Sequence, residues 1–167
     1  MGFRLLILLL STLPLLAHSG GFASVDAVMS NIKPRDVSGS ADVYAIQFKF
    51  GTAMNEAGTL AGEFRAGLGL GSDNHRGERY EMDRYFGTYL RAQFPSHMPL
   101  RPYGMLGVTR VETTRGTRSN NINDMSLGLG VEMELDHKVF VSLEYLRAAD
   151  RSKGEVSNIG LGVGARF

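Results

Sequence analysis

The sequence predicts an all-β fold: an eight-stranded antiparallel up-and-down transmembrane β-barrel with a cleaved N-terminal signal peptide. Three observations predict it. From residue 42 onward apolar residues recur at every second position, the period of a strand with two unlike faces. The connections between those segments fall into a short set and a longer, more charged set. Glycine, 21 of 167 residues, collects on the face opposite the apolar one.

The totals exclude several classes. Lys and Arg number 18 against 17 Asp and Glu, a net charge of +1, which leaves no electrostatic footprint for nucleic acid. With no cysteine there is no disulfide scaffold, no thiolate zinc site and no thiol nucleophile. The mean hydropathy of −0.08 resembles that of a soluble protein.

The first segment is an export address. Arg4 is a short positive region, and Leu5–Leu16 is an apolar run of signal length rather than of membrane-spanning length. Ala17-His18-Ser19 and Gly21-Phe22-Ala23 are both small-x-small cleavage sites. Residues 1–23 are therefore expected to be the signal, cut near residue 19 or 23, and residues 24–167 the barrel.

The strands follow in order. Ala23–Ile32 is the weakest, with Ala23, Val25, Ala27 and Met29 opposing Ser24, Asp26 and Ser30. Val43–Phe50 sets Tyr44, Ile46, Phe48 and Phe50 against Val43, Ala45, Gln47 and Lys49. Leu60–Leu70 sets Leu60, Phe64, Ala66, Leu68 and Leu70 against Glu63, Arg65, Gly67 and Gly69. Arg79–Phe94 carries Phe86, Leu90, Ala92 and Phe94 on one face, and Glu81, Asp83, Tyr85, Tyr89 and Arg91 on the other. Leu100–Val111 shows Leu106 and Val108 opposite Met105, Gly107 and Thr109. Met125–Leu135 alternates without a break. Val139–Arg147 alternates except at Phe140 and Leu146, and Val156–Phe167 again alternates cleanly.

Gly51–Gly58, Pro95–Pro99 and Asp136–Lys138 are the short turns. Lys33–Ala41, Gly71–Glu78, Thr113–Asn123 and Asp150–Gly154 are the opposite set. An even strand count puts both termini beside the short turns, as in an outer-membrane barrel with periplasmic ends. Glycine inside strands weakens a soluble sheet, whereas the interior of an eight-stranded barrel is only just wide enough for side chains. The apolar face is therefore expected to point outward to lipid. Phe50, Phe94, Phe140 and Phe167 are placed at the periplasmic interface and Tyr44, Tyr80 and Tyr145 at the other. Phe140 has the right height and the wrong parity.

Arg101-Pro102-Tyr103, Gly107-Val108-Thr109-Arg110 and the ending Gly160-Leu161-Gly162-Val163-Gly164-Ala165-Arg166-Phe167, together with the signal, carry a resemblance. The chain resembles the small eight-stranded outer-membrane β-barrel proteins of Gram-negative bacteria, of the opacity-protein and OmpX type and the barrel half of OmpA. The resemblance implies that Phe167 belongs to the signal read by the barrel-assembly machinery, with periplasmic chaperones assisting during biogenesis. No peptidoglycan-binding domain is expected after the barrel, so a tethering role is not implied.

Lys49, Glu63, Arg65, Glu81, Asp83, Arg91, Glu132, Glu134, Glu144 and Arg166 share the expected interior. Buried charge is tolerable when paired and hydrogen-bonded, so these residues predict an ion-pair network filling the lumen and no wide pore. Among the outer basic residues, Arg76, Arg79, Arg115, Arg118, Arg151 and Lys153 suit phosphate contacts, with outer-membrane lipid and lipopolysaccharide as the expected partners. A monomer is expected. His18, His75, His97 and His137 make no nucleophile–base pair and no metal-ligand spacing, and Gly67-x-Gly69-x-Gly71 is not a nucleotide loop. No catalytic residue, cofactor or metal is expected. The chain reads as an outer-membrane barrel with a structural or surface-interaction role. A lipid A-modifying barrel enzyme and a soluble periplasmic binding protein are the other two readings.

Overall fold

In the computed structural model the described residues are 20–34, 41–70, 72–75, 78–95, 99–115, 118–150 and 154–167, and only the backbone is described at 32–34, 41, 72–75, 78–83, 111–115, 118–122, 148–150 and 154–155. The signal segment lies outside them. Nine strand segments run in chain order: β1 Gly21–Pro34, β2 Ala41–Ala53, β3 Leu60–Gly69, β4 Ser72–His75, β5 Glu78–Gln93, β6 Leu100–Arg115, β7 Arg118–Glu134, β8 Val139–Asp150 and β9 Gly154–Arg166.

Every strand but β3 pairs antiparallel with the next in the chain, β9 returns to β1, and β3 pairs with β5. The sheet therefore closes. β3 and β4 lie one after the other along β5, so together they make one of eight barrel strands. Around the closed section the described strands have partners on both sides, the condition for crossing lipid with strands. At the seam Gly21 and Phe167 exchange two backbone hydrogen bonds, 3.0 and 2.9 Å.

The faces fall as the alternation demands. Leu129, Leu161 and Leu127 stand about two-thirds exposed on the outside, while Asp26, Lys49, Arg65 and Glu132 are buried inside. Along β7 and the residue that follows it, the outward apolar series runs from Met125 to Leu135. Steps of about 3.3 Å, inclined by about 40°, give it a height of about 25 Å, the apolar band of an outer-membrane barrel.

Two expectations are corrected. Phe140 is not part of the outer aromatic girdle: it is 2% exposed, inside the lumen, edge-on to Phe22 with ring centroids 6.2 Å apart. Leu146, the other break in the β8 pattern, is buried in the same way. Both obey the inward parity of β8, and it is their chemistry that departs from the polar face. Phe50, Phe94 and Phe167 do stand outward at the terminal end, and Tyr44 and Tyr145 outward at the other.

The second correction concerns the longer connections. β6 and β7 stay in register from Leu100↔Met133 to Arg115↔Arg118, so most of the expected Thr113–Asn123 loop is ladder. β4 likewise takes up part of Gly71–Glu78. Above the membrane both faces of a strand meet water, so no apolar alternation marks it, although Thr and its kind pair well. The β5–β6 ladder also shifts register between Met82 and Arg84, which interrupts the alternation expected from Arg91 up to Glu81.

Candidate functional site

The lumen is built from the inward positions of all the barrel strands. Its centre is Glu144 of β8, which accepts from Lys49 Nζ of β2 at 3.0 Å, from Arg65 Nη2 of β3 at 2.8 Å and from the Tyr103 hydroxyl of β6 at 2.9 Å. Lys49 also reaches Asp26 of β1 at 2.5 Å. Arg65 turns its other side to Glu63. Arg91 of β5 lies 3.7 Å from Glu63 and 2.6 Å from Glu132 of β7, and Arg166 of β9 completes the series on Glu132.

Taken in order, Asp26, Lys49, Glu144, Arg65, Glu63, Arg91, Glu132 and Arg166 form an unbroken chain of alternating sign, four negative and four positive. Burying one of these charges alone would be prohibitive, and alternation gives each a counter-charge. β6 sends no charge into the series but supports it. Arg65 Nη2 sits 2.9 Å from Met105 Sδ, and the Arg91 guanidinium stacks 3.7 Å from the Tyr103 ring centroid.

Above and below, the filling changes character. Toward the outer end Tyr85 donates to Gln47, which is 3.5 Å from Asp26, and Tyr89, Thr109 and Ser126 share hydrogen bonds of 2.5 and 2.6 Å. Toward the terminal end Phe22, Ala61 and Phe140 cluster, with Arg91 and Arg166 each 5.0 Å over one of the two rings. Beyond them a vestibule of about 750 Å³ opens between the β2–β3 turn, Arg101 and Phe167. Arg65, Tyr103, Asp26 and Glu132 are 0–1% exposed, so among the described residues the charged layer is closed to water.

The glycines make this filling possible. Tyr85, Tyr89, Tyr103, Asp26 and Phe140 each face a glycine directly across a ladder: Gly67, Gly107, Gly130, Gly162 and Gly164. At each of these glycines a Cβ would collide with the opposing side chain. A long side chain can therefore lie flat along the wall instead of meeting its counterpart in mid-lumen.

Of the expected lumen residues, Lys49, Glu63, Arg65, Arg91, Glu132, Glu144 and Arg166 are brought together. Glu134 stands apart, 2.5 Å from Arg101 at the half-exposed terminal mouth. The side chains of Glu81 and Asp83 lie outside the described residues. So do Arg76, Arg151 and Lys153, and the side chains of Arg79, Arg115 and Arg118. Sequence reasoning missed Asp26 as a network member. Its inward parity beside Ser24 and Ser30 was the available signal, and the weakness of the β1 pattern hid it. His137, the histidine whose side chain is described, is exposed in the β7–β8 turn. Among the described residues no group of three His, Cys, Asp or Glu could hold a metal.

Comparison with known proteins agrees with this geometry. Residues 4–167 match the family model described as the outer membrane protein beta-barrel domain. No curated protein is matched by the sequence. Among solved structures, Ail, the attachment invasion locus protein of Yersinia pestis, aligns with a TM-score of 0.65 at 13% identity, over 89% of this chain and 99% of that one. Neisserial surface protein A gives 0.62 at 16% identity, over 88% and 97%. The N-terminal β-barrel domain of Pseudomonas aeruginosa OprF gives 0.60 at 17% identity, over 87% and 97%. At these identities the structural likeness speaks for the fold, and the family match speaks for descent. A closed barrel of eight strands, apolar outside and ion-paired within, matched over almost its whole length by one family model, belongs to the outer membrane protein β-barrel domain family.

Proposed function

We propose that this outer-membrane barrel is a sealed, non-catalytic scaffold whose work is done at the end away from its termini, by interaction at the cell surface. The observation that carries the reading is the alternating charge chain. It ties the barrel wall together across the lumen and leaves no passage for solutes, so transport through the middle is not what the interior is built for. The reading is supported by its structural neighbours: one is named a surface protein and another an attachment invasion locus protein, the latter solved with the heparin analogue sucrose octasulfate. Lipopolysaccharide is the proposed lipid partner, with the outer basic residues Arg76, Arg79, Arg115, Arg118, Arg151 and Lys153 as its contacts.

Membrane fractionation combined with a heat-shift gel tests the location and the fold. The protein should appear in the outer membrane and migrate differently before and after boiling. Planar-bilayer recording tests the seal. Steady, solute-sized conductance from the folded protein would overturn the scaffold reading, and release of acyl chains from lipid A by the purified barrel would replace it with an enzyme.

A further inference from the structure

At the terminal end of the barrel the lumen widens into the vestibule of about 750 Å³. Its shape follows from the inward residues of β2 and β3. Higher in the barrel, tyrosines lie over the glycines of the next strand. In this last layer β2 and β3 turn Ala53 and Ala61 inward, too short to reach the far wall. That wall is made of donors: Gln93 of β5, with Arg91, Arg101 of β6 and Arg166 of β9. Arg91 and Arg166 are engaged with Glu132 and Arg101 with Glu134, but neither glutamate belongs to the cavity wall. Glu56 of the β2–β3 turn is the one acidic residue among the described lining residues.

Two N–H groups of this wall are unsatisfied. Among the described residues, the buried side-chain nitrogens without a hydrogen-bond partner are Gln93 Nε2 and Arg166 Nε, and both residues line the vestibule. A buried donor without an acceptor is costly, and two of them at one cavity call for an acceptor from outside the fold. We propose that the vestibule binds a small organic carboxylate, held by the Gln93 amide and the Nε edge of Arg166, with its apolar body against Phe22, Met54 and Phe167. This site goes beyond the surface-interaction reading and is independent of it, since it lies at the opposite end of the barrel.

The donor set selects the ligand. Two separate N–H groups, each giving one bond, match the two oxygens of a carboxylate. The terminal guanidinium nitrogens that would grip a phosphate are engaged with Glu132 and Glu134. Three guanidinium groups against one carboxylate still favour an anion in a recess where charges are screened less than in bulk water. Both orphan nitrogens are covered in the empty wall, so binding turns the Gln93 amide and shifts the Arg166 side chain toward the cavity, rotamer changes of the kind common at binding sites. Phe22, edge-on to Phe140, closes the floor. The recess is thus a dead end, a receptor rather than the entrance of a channel.

The test titrates the mature protein in detergent micelles with phenylacetate by calorimetry. Phenylacetamide is the uncharged counterpart and phenyl phosphate the other oxyanion. Phenylacetate should bind saturably, and phenylacetamide at least about tenfold more weakly, the worth of one charge-assisted hydrogen bond. Gln93→Leu should weaken phenylacetate binding about tenfold on the same ground. It should leave the urea midpoint of the ligand-free barrel unchanged or raised, because it removes a donor that has no partner. Arg166→Lys keeps the charge, removes the Nε donor and should weaken binding to a similar degree. Lys138→Gln, a charge change in the β7–β8 turn at the same end but outside the cavity wall, should not. No saturable binding, equal binding of acid and amide, or unchanged binding in Gln93→Leu and Arg166→Lys overturns the proposal. A lowered ligand-free midpoint in Gln93→Leu does so too, since it would mean that the amide serves the fold. Tighter binding of phenyl phosphate overturns the assignment to a carboxylate. Should either variant fail the heat-shift check for folding, Ala53→Leu, which narrows the recess from the far wall, is read in its place and should abolish binding; full retention counts against the site. Intact mass of the same preparation shows whether Gly20–Phe22 are kept, and a chain beginning at Ser24, lacking that side of the cavity, overturns the site in the mature protein.

Discussion

Tyr103 lies flat over Gly130, the residue directly opposite it in the β6–β7 ladder. A Cβ at Gly130 would occupy the space of the phenol ring, and that ring both donates to Glu144 and carries the Arg91 guanidinium on its face. Gly130→Val should therefore destabilise the barrel by about 1–3 kcal/mol, the usual cost of overpacking. Tyr103→Ala added to it should recover part of the loss. Urea unfolding in vesicles measures both, and additive losses would show that the ring and the glycine are not in contact.

Glu144 is the acceptor for Lys49, Arg65 and Tyr103 at once. Glu144→Gln keeps the shape and removes the charge between two buried cations. The expected loss is about 3–5 kcal/mol, as for breaking a buried pair. In a double-mutant cycle with Lys49→Met the two substitutions should couple by about 0.5–3 kcal/mol, and a coupling of zero would deny the contact.

Leu129 is 65% exposed at the middle of the outward series on β7. Leu129→Arg places a charge in the hydrocarbon and should cost about 2–4 kcal/mol. Unfolding in bilayers reads the loss, and an unchanged midpoint would mean that this face does not meet lipid.

The mature N-terminus is predicted to follow Ser19 rather than Ala23. Gly21 is bonded twice to Phe167, and Phe22 packs on Phe140 beneath Arg91. Cleavage after Ala23 would remove the seam contact and one wall of the terminal plug. Intact-mass measurement on protein extracted from the membrane distinguishes the two sites, and a chain beginning at Ser24 would contradict the prediction.

Much of this molecule is legible in its sequence. Period-two alternation placed every membrane-crossing strand and told its faces apart, because lipid outside and a narrow lumen inside demand opposite chemistry from adjacent residues. The alternation failed where that demand lapses. Beyond the membrane β6 and β7 go on pairing through Thr113, Thr114, Ser119 and Asn120 with no apolar stripe to announce them. At Phe140 and Leu146 parity was right and chemistry misled, since an apolar side chain suits a plugged lumen as well as it suits lipid.

What the sequence by itself determined was the set of inward residues, charged and small, and the class of fold that would enclose them. Which charge meets which was decided only by the closed barrel. Asp26 and Glu144, 118 positions apart in the chain, share Lys49 because closure brings β1, β2 and β8 to face one another across a single lumen. Pairing within a ladder follows from local register. Pairing across the lumen depends on the circumference, the tilt and the glycine hollows that let Tyr85, Tyr89 and Tyr103 lie down. Those are properties of the whole wall, and no stretch of sequence carries them alone.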